Sequence, residues 1–317
     1  MKVVIIDQFG PPGVMKLIHQ PTPDPGDDEV LVRVKAASVN PVDIQTRRGD
    51  YKDAIALPAR LGVDCAGVIE KVGKDVQGFQ VGDEVFYVPR LLANEGSYAT
   101  HHVEKASIVA KKPETLSFEQ AATLPLAAGT AWECLMERGR LKSGDKVLIH
   151  GGAGGVGVYA IQIAKFFGAH VVTTSGPHNK EFVEGLGADV SYDYRRESLY
   201  EELRHDYPAG FDIILDTVGQ KTIENSLSLL AASGRLVSIV DMAVPQNLMS
   251  GWLVNAEIHF VFTTQSAKRL AELAKAVDAG GIKPVIERVM KLSDIVLAHE
   301  LIESGNRKGK IAISIDE

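Results

Sequence analysis

Three glycines at fixed spacing are the residues of this sequence best suited to chemistry: Gly152, Gly154 and Gly157, within Gly151-Gly152-Ala153-Gly154-Gly155-Val156-Gly157. They follow the apolar stretch Lys146–His150 and open an apolar helical stretch through Phe167, with Val156, Ala160, Ile161 and Ala164 on one face. That is G-x-G-x-x-G in strand–turn–helix context. The first glycine permits a tight turn, the second lets backbone amides approach a pyrophosphate, and the third allows close helix–strand packing. The helix start favours the negative charge, so Gly152, Gly154, Gly155, Val156 and Gly157 are expected to cradle a dinucleotide.

The adenosine end of such a site usually carries Asp or Glu about 20 residues further on, to bind ribose hydroxyls. Here the stretch Val171–Thr174 runs into Ser175-Gly176-Pro177-His178-Asn179-Lys180, which has hydroxyls and a cation instead. A 2′-phosphate suits that set: Ser175 and Gly176 line the turn, Lys180 offers a charge-assisted bond, and Tyr194, beside Arg195 and Arg196, completes the pocket. The expected cofactor is NADPH rather than NADH.

These residues need a scaffold, and the texture of the chain supplies one. From about Ser117, short apolar strands alternate with helical segments, the signature of βαβ units. The expected strands are Lys146–His150, His170–Thr174, Asp189–Tyr192, Asp212–Leu215, Arg235–Ile239 and His259–Thr263. Six make a doubly wound parallel sheet. Ligands bind at the carboxyl edge of such sheets, which nominates Thr217 and Val218 after one strand, Ile239 after the next, and Val261 and Phe262 at the nicotinamide end.

The first third reads as β-rich, with Val30-Leu31-Val32-Arg33-Val34 and turns at Pro23–Gly26, Gly62, Gly73 and Gly82. The last 50 residues, with Leu270, Leu273, Ala274 and Val277 at helical spacing, Pro284–Val289, a helix from Ser293 and a strand Lys310–Ile315, are too few for a core of their own. They are expected to return to the N-terminal domain, giving 1–120 plus 265–317 as one domain and 121–264 as an insertion.

Composition excludes several classes. Apolar residues make up 45%, and 34 Lys+Arg against 41 Asp+Glu leave a net charge of −7, so neither disorder nor a basic nucleic-acid or membrane surface is indicated. Two cysteines, Cys65 and Cys134, without Cys-x-x-Cys spacing, make a thiolate zinc site untenable and suit a reducing compartment. No signal-peptide pattern and no run of about 18 apolar residues occurs, so the expected location is cytoplasmic. His101 and His102 are adjacent and point to opposite faces of a strand, which argues against a shared metal.

Six motifs in order resemble the medium-chain dehydrogenase/reductase family, in its zinc-free quinone oxidoreductase (zeta-crystallin-like) branch, over nearly the whole chain. They are Ala36-Ala-Ser-Val-Asn40-Pro-Val-Asp43, Leu61-Gly62-Val63-Asp64-Cys65-Ala66-Gly67-Val68, Gly82-Asp83-Glu84-Val85, Leu124-Pro125-Leu126-Ala127-Ala128-Gly129-Thr130-Ala131, His150–Gly157 and Gly309-Lys310-Ile311. The resemblance implies an α/β protein: a GroES-like β-rich catalytic domain interrupted by a Rossmann domain, NADPH in the cleft between them, and a homodimer or homotetramer. Zinc-dependent relatives carry a cysteine where this chain has Asn40 and Gly-His-Glu where it has Gly62-Val63-Asp64. An amide and an alkyl group cannot replace thiolate and imidazole, so no metal is expected.

Without a Lewis acid, the expected chemistry delivers hydride to an already electrophilic acceptor, with orientation supplying much of the catalysis. The resemblance places Asn40 and Thr130 near the nicotinamide and its ribose, and Tyr51 at the substrate pocket as a hydrogen-bond or proton donor. Acceptor choice falls to Tyr51, the Leu91–Glu95 loop and Trp252. The first expectation is quinone reduction. The alternatives are reduction of α,β-unsaturated carbonyl double bonds (enone or enal) and an NADPH-binding structural protein without turnover.

Overall fold

The computed structural model describes residues 1–240, 245–305 and 308–315. In chain order the first third holds β1 (Lys2–Ile6), β2 (Lys16–His19), β3 (Glu29–Ser38), α1 (Pro41–Arg48), β4 (Ala59–Arg60), β5 (Cys65–Val72), β6 (Glu84–Tyr87), β7 (His101–Lys105), β8 (Ala110–Lys111), α2 (Phe118–Ala121) and α3 (Pro125–Trp132). The middle alternates β9 (Lys146–His150), α4 (Gly157–Phe166), β10 (His170–Ser175), α5 (Lys180–Gly185), β11 (Val190–Asp193), α6 (Leu199–Asp206), β12 (Phe211–Asp216), α7 (Thr222–Leu227), β13 (Leu230–Ser238), α8 (Met249–Leu253) and β14 (Glu257–Phe260). The chain closes with α9 (Ala267–Asp278), β15 (Ile286–Lys291), α10 (Ile295–Glu303) and β16 (Lys310–Ser314).

Two compact units result, one of Met1–Gly129, Thr264–Ala279 and Pro284–Glu317, the other of Thr130–Thr263 and Gly280–Lys283. The first unit is β-rich. Its larger sheet runs β15-β16-β3-β5-β6-β8, with β7 also on β3, and a second sheet runs β2-β1-β4. The ten-residue strand β3 is the spine, pairing antiparallel with β5, β7 and β16. Ile311, Ala312 and Ile313 are buried there, because so short a tail can hide its apolar side chains only by joining an existing sheet. In α1, Pro41 takes the first helical position, the Asp43 carboxylate accepts the Asn40 N–H at 2.9 Å, and Gly49 ends the helix at φ 98°.

The second unit is a six-stranded sheet in the order β11-β10-β9-β12-β13-β14, parallel throughout. This is the 3-2-1-4-5-6 arrangement of a doubly wound dinucleotide-binding fold. Val147, Leu148 and Ile149 are all fully buried, as are Ile213, Ile214 and Leu215, because helices cover both faces. Leu148, Val172, Ile214 and Leu236 meet Leu199, Leu203, Ile223 and Leu227 in one core cluster. All six expected strands exist, with two shifted. The stretch expected at Arg235–Ile239 begins at Leu230, and that expected at His259–Thr263 lies at Glu257–Phe260. The second shift follows from pairing: β14 is in register with β13 from Arg235↔Glu257 to Ser238↔Phe260, and beyond Ser238 no strand remains beside it. Val261 and Phe262 therefore leave the sheet at its carboxyl edge.

Candidate active site

In the second unit, the turn after β9 is laced to its neighbours. The Gly151 amide donates to Thr174 Oγ1 at 3.2 Å and the Gly152 amide to the Thr174 carbonyl at 3.0 Å. A Cβ on Gly157 would lie 2.2 Å from the Gly151 carbonyl oxygen, so the first helical turn sits directly on the loop. Gly154 differs: a Cβ there would meet only the Gly151 oxygen, at 3.3 Å, and otherwise open space. Among the described residues, no backbone acceptor takes the Gly155 or Val156 amide. Unpaired donors at the start of a ten-residue helix, beside a position open to an approaching ligand, fit a pyrophosphate.

The carboxyl edge is organised by Asp216. Its buried carboxylate accepts the Val218 and Gly219 amides at 3.0 and 3.1 Å and the Ser238 hydroxyl at 2.9 Å, tying the ends of β12 and β13 together. Thr217 Oγ1 donates to the His150 carbonyl at 2.7 Å. The Ile239 amide donates to the Asp216 carbonyl at 3.2 Å, and the Val261 amide to that of Ser238 at 2.8 Å. Thr217, Val218, Ile239 and Val261 thus gather at the edge that holds the glycine loop, with Phe262 exposed after them. His150 is buried, its Nε2 at 2.9 Å from Ser226 Oγ, and burial pushes its pKa down to about 4, so it stays neutral.

At the end of β10, Ser175 Oγ bonds Ser191 Oγ at 2.9 Å and the Gly176 carbonyl at 3.2 Å. The Tyr194 amide donates to the Ser175 carbonyl at 3.3 Å, and the Arg195 guanidinium stacks over the Tyr194 ring at 5.4 Å. Arg195 reaches within 3.7 Å of where a Gly176 Cβ would sit. Ser175, Gly176, Tyr194 and Arg195 are therefore one cluster, with no acidic side chain in the Ser175–Lys180 turn. Lys180 stands on α5 with its ammonium 3.1 Å from Glu184, an exposed pair one turn apart.

In the first unit, Asn40 is buried in a polar cluster that composition alone does not reveal. Its Nδ2 donates to Asp64 Oδ2 at 2.7 Å, and its Oδ1 accepts from the Lys310 ammonium. Lys310 also donates to the Val39 carbonyl at 3.1 Å and lies 3.4 Å from Asp64. Ser38 Oγ donates to Asp64 Oδ2 at 2.5 Å, and Asp64 Oδ1 accepts the Leu126 amide at 2.7 Å, near the start of α3, the helix that carries the buried Thr130. Asp43 accepts the Asn40 and Gly62 amides at 2.9 and 3.1 Å; burial pushes its carboxyl up to about 7. Asp64 and Lys310 stand in quoted motifs, but nothing in their types or spacing marks them as partners, because 246 residues separate them.

Tyr51 and Asn40 flank the two ends of α1. Asn40 caps the start of the eight-residue α1 and Tyr51 follows the turn at its end, its hydroxyl folding back to donate to Gln45 Oε1 at 3.3 Å. In the Leu91–Glu95 loop, Glu95 pairs with Arg60 at 2.9 Å. Trp252, on α8, is 75% exposed. Burial pushes the Cys65 thiol up to about 12, which leaves it inert. His101 and His102 face opposite sides of β7, to Glu70 and Tyr87 respectively. Among the described residues no group of three His, Cys, Asp or Glu converges as a metal site would require.

Comparison with known proteins agrees with this architecture. Residues 26–114 match the alcohol dehydrogenase GroES-like domain and residues 186–313 the zinc-binding dehydrogenase domain. A 2-methylene-furan-3-one reductase of Solanum lycopersicum is 36% identical over 99% of this chain and 79% of its own length. The quinone oxidoreductase of Coxiella burnetii superposes with a TM-score of 0.91 at 34% identity, covering 100% of this chain and 99% of that one. A mycobacterial protein solved in complex with NADPH superposes with a TM-score of 0.87 at 29% identity, covering 99% of each chain. A GroES-like β-rich domain interrupted by a parallel Rossmann sheet defines a medium-chain dehydrogenase/reductase. The chain belongs to that family, in its quinone oxidoreductase branch, and is an oxidoreductase.

Proposed function

We propose that the chain is a zinc-independent, NADPH-dependent reductase that delivers hydride to a quinone. The observation that carries the reading is the cluster at the end of β10: hydroxyl, tyrosine and guanidinium gather at the adenosine end, where an NADH site carries a carboxylate. A 2′-phosphate supplies the charge that Arg195, with Lys180 nearby on α5, is built to receive.

NADPH brings the transferable hydride, and the chain's own residues bind and orient. The free amides of Gly155 and Val156 and the start of α4 hold phosphate, with Gly154 keeping that approach open and Gly152 and Gly157 letting the turn pack against Thr173 and the first helical turn. Thr217, Val218, Ile239, Val261 and Phe262 line the carboxyl edge. Asn40 and Thr130 orient the nicotinamide half by hydrogen bonds, and Tyr51 donates to the acceptor oxygen. Asn40 and Val63, where zinc relatives carry metal ligands, support metal-free chemistry.

The relative from Solanum lycopersicum favours a second reading, reduction of a carbon–carbon double bond conjugated to a carbonyl. Both are tested by following NADPH oxidation, with NADH as control, against a benzoquinone and a trans-2-enal, with zinc content measured on the same protein. Faster quinone turnover without stoichiometric zinc supports the first reading, and faster formation of saturated aldehyde the second. Tight NADPH binding with neither turnover points to a binding protein. Met249, Trp252, Leu253 and Phe260 are exposed on α8 and the edge strand β14, a surface suited to a second copy in a homodimer or homotetramer. Two buried free cysteines suit the cytoplasm, and among the described residues no helix is long and apolar enough to cross a membrane.

A further inference from the structure

Within the first unit, Lys310 holds a buried position that its residue type does not announce. It is the residue that opens β16, follows Gly309 at φ 77°, and buries its ammonium against Asn40 Oδ1, the Val39 carbonyl and Asp64. An ammonium has only hydrogens to give and a carboxylate only lone pairs. The Asn40 amide between them is therefore fixed in one sense: oxygen toward Lys310, nitrogen toward Asp64. Asp64 takes one of the two Nδ2 hydrogens, and the second has no acceptor among the described residues.

We propose that Lys310 is a positioning residue: bonded to the Asn40 amide oxygen, it fixes that amide so that Asn40 meets its ligand as a hydrogen-bond donor and never as an acceptor. The inference rests on the reading of Asn40 as a group that orients the nicotinamide half. It deepens that reading by naming the ligand chemistry, an oxygen acceptor such as a carboxamide carbonyl or a ribose hydroxyl. The charged donor on Oδ1 draws electron density from the amide nitrogen while the Asp64 carboxylate on the other N–H returns it, so what Lys310 contributes is the orientation of the amide. Ser38 and the Leu126 amide hold Asp64 in turn, so the whole relay from β16 to Asn40 is anchored at both ends.

The test measures dissociation constants by calorimetry for NADPH and for 2′,5′-ADP, which carries the adenosine and 2′-phosphate but no nicotinamide. The variants are Asn40→Ala, Lys310→Met, Lys310→Arg and the double variant Asn40→Ala/Lys310→Met. Lys310→Met is expected to weaken NADPH by about tenfold, the loss of one hydrogen bond, and to leave 2′,5′-ADP within about twofold. Lys310→Arg, which keeps a charged donor, is expected to recover most of the NADPH affinity. The double variant is expected to be no worse than Asn40→Ala alone, because Lys310 acts through Asn40. Should Lys310→Met not fold, Lys310→Gln, which removes the charge, replaces it in the cycle. Additive losses in the double variant, or equal weakening of NADPH and 2′,5′-ADP, overturn the inference and leave the cofactor reading standing. Wild-type protein that binds neither ligand overturns the cofactor reading itself, and the inference with it.

Discussion

Thr173 Oγ1 stands 2.1 Å from the point a Cβ on Gly152 would occupy, while donating to the Ile149 carbonyl at 2.7 Å. The hydroxyl cannot move without giving up that buried bond. Gly152→Ala is therefore expected to cost about 2 kcal/mol by overpacking, seen as a lower denaturation midpoint at unchanged m-value. An unchanged midpoint would show that the turn relaxes freely.

Gly154 predicts the opposite pattern. Its Cβ position meets only the Gly151 carbonyl oxygen, at 3.3 Å, which a small shift relieves, so Gly154→Val is expected to keep the melting temperature within a few degrees. NADPH affinity is expected to fall by more than about 100-fold, because the branched side chain fills the approach to the Gly155 and Val156 amides. Undiminished binding measured by calorimetry would refute the close-approach argument.

The adenosine-end cluster predicts a cofactor split. Arg195→Ala and Lys180→Ala are each expected to weaken NADPH while sparing NADH. The larger effect, about tenfold, belongs to Arg195, because it stands against Gly176 whereas Lys180 is already paired with Glu184. Equal losses for both cofactors would remove the phosphate from that pocket.

Three buried histidines predict acid sensitivity. Burial pushes His102 and His299 down to about 3 and His150 to about 4, so in the range below 6.5 the unfolded chain binds protons the folded chain refuses. The histidines' contribution to stability is thus fully present above 6.5 and is lost as pH falls. Asp43, pushed up to about 7, works in the opposite sense, since the folded state holds its proton first. At about 2 kcal/mol per group between pH 7 and 5, the net loss is roughly 4 kcal/mol. Both ring nitrogens of His299 lack partners among the described residues, so His299→Leu is expected to raise stability at pH 5 and flatten the slope of unfolding free energy against pH. A slope unchanged by that substitution would clear His299 of the effect.

Much of this molecule was legible before any coordinates. The glycine spacing, the strand–helix alternation and the missing carboxylate after Thr174 are local patterns, and local patterns survive in a linear string. The last strand of the sheet, β14, ends three residues before the pattern places it, because register between neighbours, as in Ser238↔Phe260, sets where pairing stops. Lys180 is the cation that spacing nominates for the phosphate, and what only the fold shows is that Arg195, following strand β11, is brought against Gly176.

By itself, then, the sequence determined the period of each element and the residues that a phosphate-binding turn requires, since these depend on backbone sterics within a few residues. Only the tertiary structure decided which distant groups share a buried space. Lys310, Asn40 and Asp64 lie far apart along the chain, and none of them stays buried without the others: an amide, a carboxylate and an ammonium leave water only when each satisfies its neighbours.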